Sequence, residues 1–202
     1  MKTLISAVAF VLVLYATTNA QTEKGRWTAG AQVGNFTYKD QNGIRTFNGS
    51  LTPSAGYFVA NGLAVGVGIP VSWVTSSGGS YNSSRTAIGV SPSITYFIGP
   101  AKLKPFVGFS YGYSKTAGKS NFDISGGTDL RTNGHSNTYV PNLGLAYFLN
   151  RNVALTLGLN YVINQSKDSF TANTTAGVQT GANTNYDRYL SLNVGFQVFF
   201  GR

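Results

Sequence analysis

The feature that most constrains this chain is an alternation of period two that recurs eight times between residues 27 and 200. Successive residues of a strand face opposite sides, so each run describes a surface between two different environments. The runs cover Trp27–Gly34, Ser50–Val59, Leu63–Trp73, Ala87–Ile98, Phe106–Tyr113, Tyr139–Phe148, Val153–Ile163 and Tyr189–Phe200. One phase is large and apolar, as in Val153, Leu155, Leu157, Leu159, Tyr161 and Ile163. The other is mostly Gly, Ala, Ser, Thr, Asn and Gln, and it carries no charge in any run. A strand face that meets water normally carries Lys, Glu, Asp or Arg, yet charged residues make up only 10% of this chain. The apolar phase therefore reads as an outer surface against lipid, and the small phase as an interior. Runs of this length match a tilted strand that crosses hydrocarbon. Backbone groups in lipid must all be paired, which forces a sheet to close, and eight strands make a small closed barrel. The predicted fold class is all-β: an eight-stranded antiparallel up-and-down transmembrane β-barrel.

The connections alternate in length. Residues 39–48, 75–84, 115–137 and 164–187 read as four long extracellular loops rich in Ser, Thr, Asn and Gly; residues 60–62, 99–104 and 150–152 read as three short periplasmic turns. Asn61-Gly62 has the composition of a two-residue hairpin whose central residues both take positive φ. Pro53, Pro92 and Pro141 fall inside strand runs, where a missing N–H predicts a bulge or a lost ladder bond. Ahead of the first run, residues 1–20 have the layout of a secretory leader: Lys2, an uncharged apolar stretch from Leu4 to Tyr15, and Ala20 at the last position. That stretch is too short for a membrane-spanning helix. The expected division is a signal peptide over 1–20 and a barrel domain over 21–202.

Aromatic residues fall at the ends of the outward phase. Trp27, Tyr57, Tyr96, Tyr147 and Phe200 collect at the turn-bearing end, and Trp73, Tyr111, Tyr113, Tyr139 and Tyr161 at the other. Amphipathic rings settle where hydrocarbon meets headgroups, so two belts are expected. On the inward phase Phe58, Phe97, Phe106, Phe148 and Phe199 fall at the turn-bearing end, and we expect them to plug the periplasmic mouth. The alternation shows no ion pair in the interior.

The chain holds 15 Lys and Arg against 6 Asp and Glu, and with Lys2 assigned to the leader the remainder carries +8. Basic residues flanking an apolar belt, among them Lys24, Arg26, Lys102, Lys104, Arg151 and Arg202 at the turn end and termini, suit anionic headgroups, which on the outer side are those of lipopolysaccharide. Cys is absent, which excludes disulfides and thiolate metal sites. His135, Ser136 and Asn137, with Asp123 or Asp129 nearby, are the only approach to a nucleophile set, but adjacent strand residues point apart. No catalytic residue, cofactor or metal ligand is assigned.

Three strands end alike: Pro53 to Tyr57-Phe58-Val59, Pro92 to Tyr96-Phe97-Ile98, and Pro141 to Tyr147-Phe148-Leu149. Short turns follow them, as in Asn61-Gly62-Leu63 and Asn152-Val153. Over Gly25 to Arg202 the chain resembles the small outer-membrane β-barrel family of Gram-negative bacteria, which includes the OmpA and OmpX barrels. The last strand, alternating to Phe200, is similar to that family's C-terminal assembly signal. The resemblance implies outer-membrane location, contact with outer-membrane lipid and lipopolysaccharide, and insertion by the outer-membrane assembly machinery. A monomer is expected, and an exported barrel without a basic-aromatic groove is expected to have no nucleic-acid partner. The expected role is non-enzymatic, structural or surface-interacting through extracellular loops whose partner the sequence does not name. The alternatives are a narrow channel or small-ligand carrier, and a lipid A-modifying enzyme.

Overall fold

The computed structural model describes residues 21–122, 128–174 and 177–201; the expected leader, residues 1–20, lies outside them. The described residues form nine strands: β1 (Trp27–Gln41), β2 (Ile44–Ala60), β3 (Leu63–Gly68), β4 (Val71–Gly78), β5 (Tyr81–Phe97), β6 (Leu103–Phe122), β7 (Thr128–Phe148), β8 (Val153–Thr174) and β9 (Gly177–Phe200). With β3 and β4 taken as one crossing, each crossing pairs antiparallel with its neighbours in the chain. β1 pairs with both β2 and β9, the latter from Trp27 opposite Phe200 to Gly34 opposite Asn193. The sheet thus returns on itself, as the lipid-facing alternation requires. The eight expected crossings are present, the third of them divided into β3 and β4.

Two prolines cause that division. Pro53 O accepts the N–H of Ile69 at 2.9 Å and Pro70 O accepts that of Gly89 at 3.0 Å, but neither residue has an N–H to return. The register across the gap is continuous, with Ser54 opposite Gly68 on one side and Leu51 opposite Val71 on the other. Pro92 and Pro141 behave likewise. The β5–β6 ladder skips from Val90 to Ser93 and the β7–β8 ladder from Tyr139 to Asn142, in each case without a shift. Each proline costs a bond on one side and creates no bulge. The bulges fall elsewhere, between Gly34 and Thr37 and between Phe58 and Ala60.

The stretches expected as long loops are mostly paired strand. β1 and β2 continue past the lipid-facing run to a two-residue turn at Asn42 (φ 53°) and Gly43 (φ 76°), closed by Gln41 opposite Ile44. The positive-φ pair expected at Asn61-Gly62 is thus found here; at the former site only Gly62 has positive φ (76°). β4 and β5 meet across Gly79-Ser80, β6 and β7 pair from Phe122 opposite Thr128, and β8 and β9 pair from Thr174 opposite Gly177. At about 3.4 Å per residue, the 24 residues of β9 extend well past what a bilayer crossing needs. The barrel therefore has a lower band, where outward residues are apolar, and an upper wall that rises beyond it.

Packing is concentrated at the turn-bearing end. The buried apolar cluster is Phe58, Ala64, Phe97, Phe106, Ala146, Phe148, Ala154 and Phe199. Inward glycines make room for it: a Cβ on Gly144 would lie 2.5 Å from Cζ of Phe106. On the outside, a Cβ on Gly49 would lie 2.6 Å from the Trp73 indole, so this glycine seats the ring.

Candidate functional site

Five inward phenylalanines from five different strands meet at the periplasmic end. Ring centroids lie 5.0 Å apart for Phe148 and Phe199, 5.7 Å for Phe97 and Phe106, 5.8 Å for Phe58 and Phe97, and 6.0 Å for Phe58 and Phe199. Phe58, Phe148 and Phe199 are fully buried, and Phe97 and Phe106 nearly so. The tilted and edge geometries are those that aromatic quadrupoles favour. Strand alternation and a shared height put all five rings in one layer, the arrangement read from the sequence.

A second layer lies beneath the rings. The segment from Gln21 to Arg26 folds across the mouth: Thr22 O accepts the N–H of Gly62 at 2.7 Å, the N–H of Gly25 donates to Phe58 O at 2.9 Å, and Lys24 N–H donates to Asn61 Oδ1 at 2.9 Å. Arg26 is buried and distributes its guanidinium over the closure. Nη1 donates to Gln21 O (3.0 Å) and Arg151 O (3.1 Å), Nη2 to Asn152 Oδ1 (3.0 Å) and Phe199 O (3.1 Å), and Nε to Gly201 O (3.2 Å). One side chain thereby ties the start of β1 to the end of β9 and to the β7–β8 turn. Burial pushes its pKa below the ordinary arginine value, with Glu23 opposing. A planar fork of donors satisfied by five acceptors offsets that desolvation. Lys104 is also buried; its Nζ donates to Gly99 O at 2.8 Å and lies 5.7 Å from the Phe148 ring centroid. The sequence placed Arg26 and Lys104 among rim charges facing headgroups. The structure corrects both: they are internal parts of the closure, each held by backbone carbonyls.

Above the rings the lumen is polar. Asn193 Nδ2 donates to Gln32 Oε1 at 2.8 Å, and Thr138 Oγ1 donates to Asn164 Oδ1 at 3.0 Å. Higher still, Arg85 of β5 reaches across to Asp168 of β8, Nη2 donating to Oδ1 and Oδ2 at 2.9 and 2.8 Å. This overturns the expectation of an interior without ion pairs. Asp168 stands in a stretch read as a loop and Arg85 just past the end of another, at residues 75–84; once both belong to strands the alternation turns both side chains inward. The pair borders an open cavity of about 670 Å³ lined by Thr116, Ser136, Asn164, Ser166 and Asp187 among others. Ser136 and Ser114 share a hydrogen bond at 3.0 Å, while His135 packs near Tyr113 with ring centroids 6.1 Å apart. Adjacent on β7, His135 and Ser136 occupy opposite faces. Asp123 lies outside the described residues, and among the described residues no group of three or more His, Cys, Asp or Glu is placed to hold a metal.

The belt residues lie on the outer face in two tiers. Trp27 stacks near Tyr57 at 5.0 Å and pairs with Phe200, with Tyr96 and Tyr147 exposed at the same end. In the upper tier Tyr111 lies 5.3 Å from Tyr139, with Tyr113, Tyr161 and Trp73 on β6, β8 and β4. The upper tier also holds residues the sequence reading missed. The bulge after Gly34 reverses the phase of β1 and turns Phe36 and Tyr38 outward, where Phe36 lies 6.3 Å from both Phe47 and Trp73. A bulge leaves no mark on an alternation pattern except an apparent end to it, which hid these rings.

A closed antiparallel barrel with an apolar outer band and two aromatic tiers defines the class of integral outer-membrane β-barrels. The family model described as outer membrane protein beta-barrel domain matches residues 6–200, and the chain belongs to that family in the outer membrane. The fold is similar to that of the outer membrane protein OprG from Pseudomonas aeruginosa (15% identity, 91% of this chain and 99% of that one, TM-score 0.57). It is also similar to a major outer membrane protein from Thermus thermophilus (15%, 88% and 100%, 0.55). A third likeness is to the translocator domain of the autotransporter NalP from Neisseria meningitidis (16%, 96% and 69%, 0.57). At these identities the likeness is one of fold. No curated protein matches the sequence.

Proposed function

We propose that this barrel is a non-enzymatic surface protein whose lumen is closed on the periplasmic side and which acts through the wall and turns it raises above the membrane. The observation that carries this reading is the double closure: five interlocked phenylalanine rings backed by the Gln21–Arg26 segment that Arg26 fastens to β9. A solute entering from outside meets a polar cavity and then a layer of buried rings. The outer half instead offers Ser, Thr and Asn side chains on ordered strands, a surface suited to contacts outside the cell. That same cavity of about 670 Å³ favours, as a second reading, carriage of a small polar solute. Planar-bilayer recording separates the two: the unmutated protein gives no steady conductance under the first reading, and a steady open channel overturns it.

A further inference from the structure

The upper wall sorts its charges by face. On β6–β9 the outward phase continues from the belt tyrosines into Lys115, Lys119, Arg131, Lys167 and Arg188, all exposed. Asp168 is inward, and Asp187 borders the lumen cavity. Among the described residues the outward carboxylate of this sector is Asp129, near its tip, opposite Asn121 and Asn173. Two register rows organise this face. Lys115, His135 and Lys167 are direct cross-strand neighbours, and four residues higher Lys119 stands opposite Arg131. Neighbouring strands are about 4.8 Å apart, so Lys119 and Arg131 are crowded like charges while Lys115 and Lys167 flank His135 two strands apart, and among the described residues no outward carboxylate lies between them. Such crowding is unfavourable unless an anion sits on it. Lys115 is two residues above Tyr113, about 7 Å along the strand, which is headgroup height.

Between the rows the small Ala117 leaves a hollow of about 450 Å³, bordered by Ser84, Thr86, Lys119, Arg131 and Asn133. Hydroxyls and an amide beside a lysine and an arginine match the hydrogen-bonding needs of a sugar that bears phosphate, and arginine binds phosphate oxygens in a fork.

We infer that the outward face of β6–β8 is a binding site for a phosphorylated glycolipid of the outer leaflet, with phosphates on the Lys115–His135–Lys167 and Lys119–Arg131 rows and sugar in the hollow at Ala117. The inference rests on outer-membrane placement and is independent of whether the lumen is closed.

The test is titration of the folded full chain in detergent with bisphosphorylated lipid A, with the same lipid A after dephosphorylation, and with inorganic phosphate as competitor. The wall variant is Lys115→Gln/Lys119→Gln/Arg131→Gln/Lys167→Gln. A control, Lys24→Gln/Lys39→Gln/Lys102→Gln/Arg151→Gln, removes the same charge elsewhere. Bisphosphorylated lipid A is expected to bind the wall variant about tenfold or more weakly and the control unchanged. The dephosphorylated lipid should bind weakly to all three proteins, and inorganic phosphate should fail to compete at matched concentration. Equal losses in wall variant and control, undiminished binding by the wall variant, or full competition by inorganic phosphate would each overturn the assignment. Should the fourfold variant not fold, Lys119→Gln/Arg131→Gln carries the same comparison with a smaller loss.

Discussion

The lower band and the upper wall are the same sheet held together in different ways. In the lower band every face has a job. Large residues meet lipid outside, and inside the rings of Phe58, Phe97, Phe106, Phe148 and Phe199 fill the space that small residues leave. In the upper wall both faces meet water. The ladder continues, but side-chain support comes from hydroxyl pairs such as Thr46 with Ser76 at 3.0 Å and Ser83 with Ser120 at 2.8 Å, and from the Arg85–Asp168 bridge. Strand pairing is a backbone property, whereas a hydrophobic pattern appears only where one face leaves water. The pattern therefore stops at the membrane boundary while the strands do not.

The comparison can be broken from below first. Phe148→Ala/Phe199→Ala removes two fully buried rings, each costing roughly 3–5 kcal/mol. Urea unfolding in lipid vesicles should show the loss, and bilayer recording should show an induced conductance if the rings are the barrier. Next is the latch. Arg26→Ala leaves five acceptors without their donor and should lower the unfolding free energy by about 1–3 kcal/mol. Arg26→Lys should recover little of it, because an ammonium lacks the planar fork. If Arg26→Lys restored full stability, the geometric argument for that residue would fail. The upper wall should respond least: Arg85→Gln removes a bridge whose arginine side chain is 42% exposed, so a change of about 0–1 kcal/mol is expected. A loss comparable to that at Arg26 would show that the wall contributes to stability as the lower band does.

How much was legible follows the same boundary. Strand phase, the placement of the five phenylalanines on one level and both aromatic tiers could be read because alternation of large and small residues reports a lipid–lumen surface. The upper strands could not, because in Asn164–Asp187 most residues are small or polar on both phases, and such composition also describes a loop. Misreading those strands hid the Arg85–Asp168 bridge, since facing is undefined without a strand. Arg26 and Lys104 were missed for another reason. Charged residues beside turns are usually solvated, and only the fold of the Gln21–Arg26 segment and the β5–β6 connection brings carbonyls to them.

The central claim is that β8 passes from lipid into water partway along its length. The chain has no cysteine, so single cysteines can be introduced at Leu155, Leu157, Leu159, Tyr161, Lys167, Ser169 and Thr171, all on the outward phase. A membrane-impermeant maleimide applied to intact cells should leave the first four unlabelled and label Lys167→Cys, Ser169→Cys and Thr171→Cys strongly. Uniform labelling along the strand, or protection that extends to Thr171→Cys, would contradict the account.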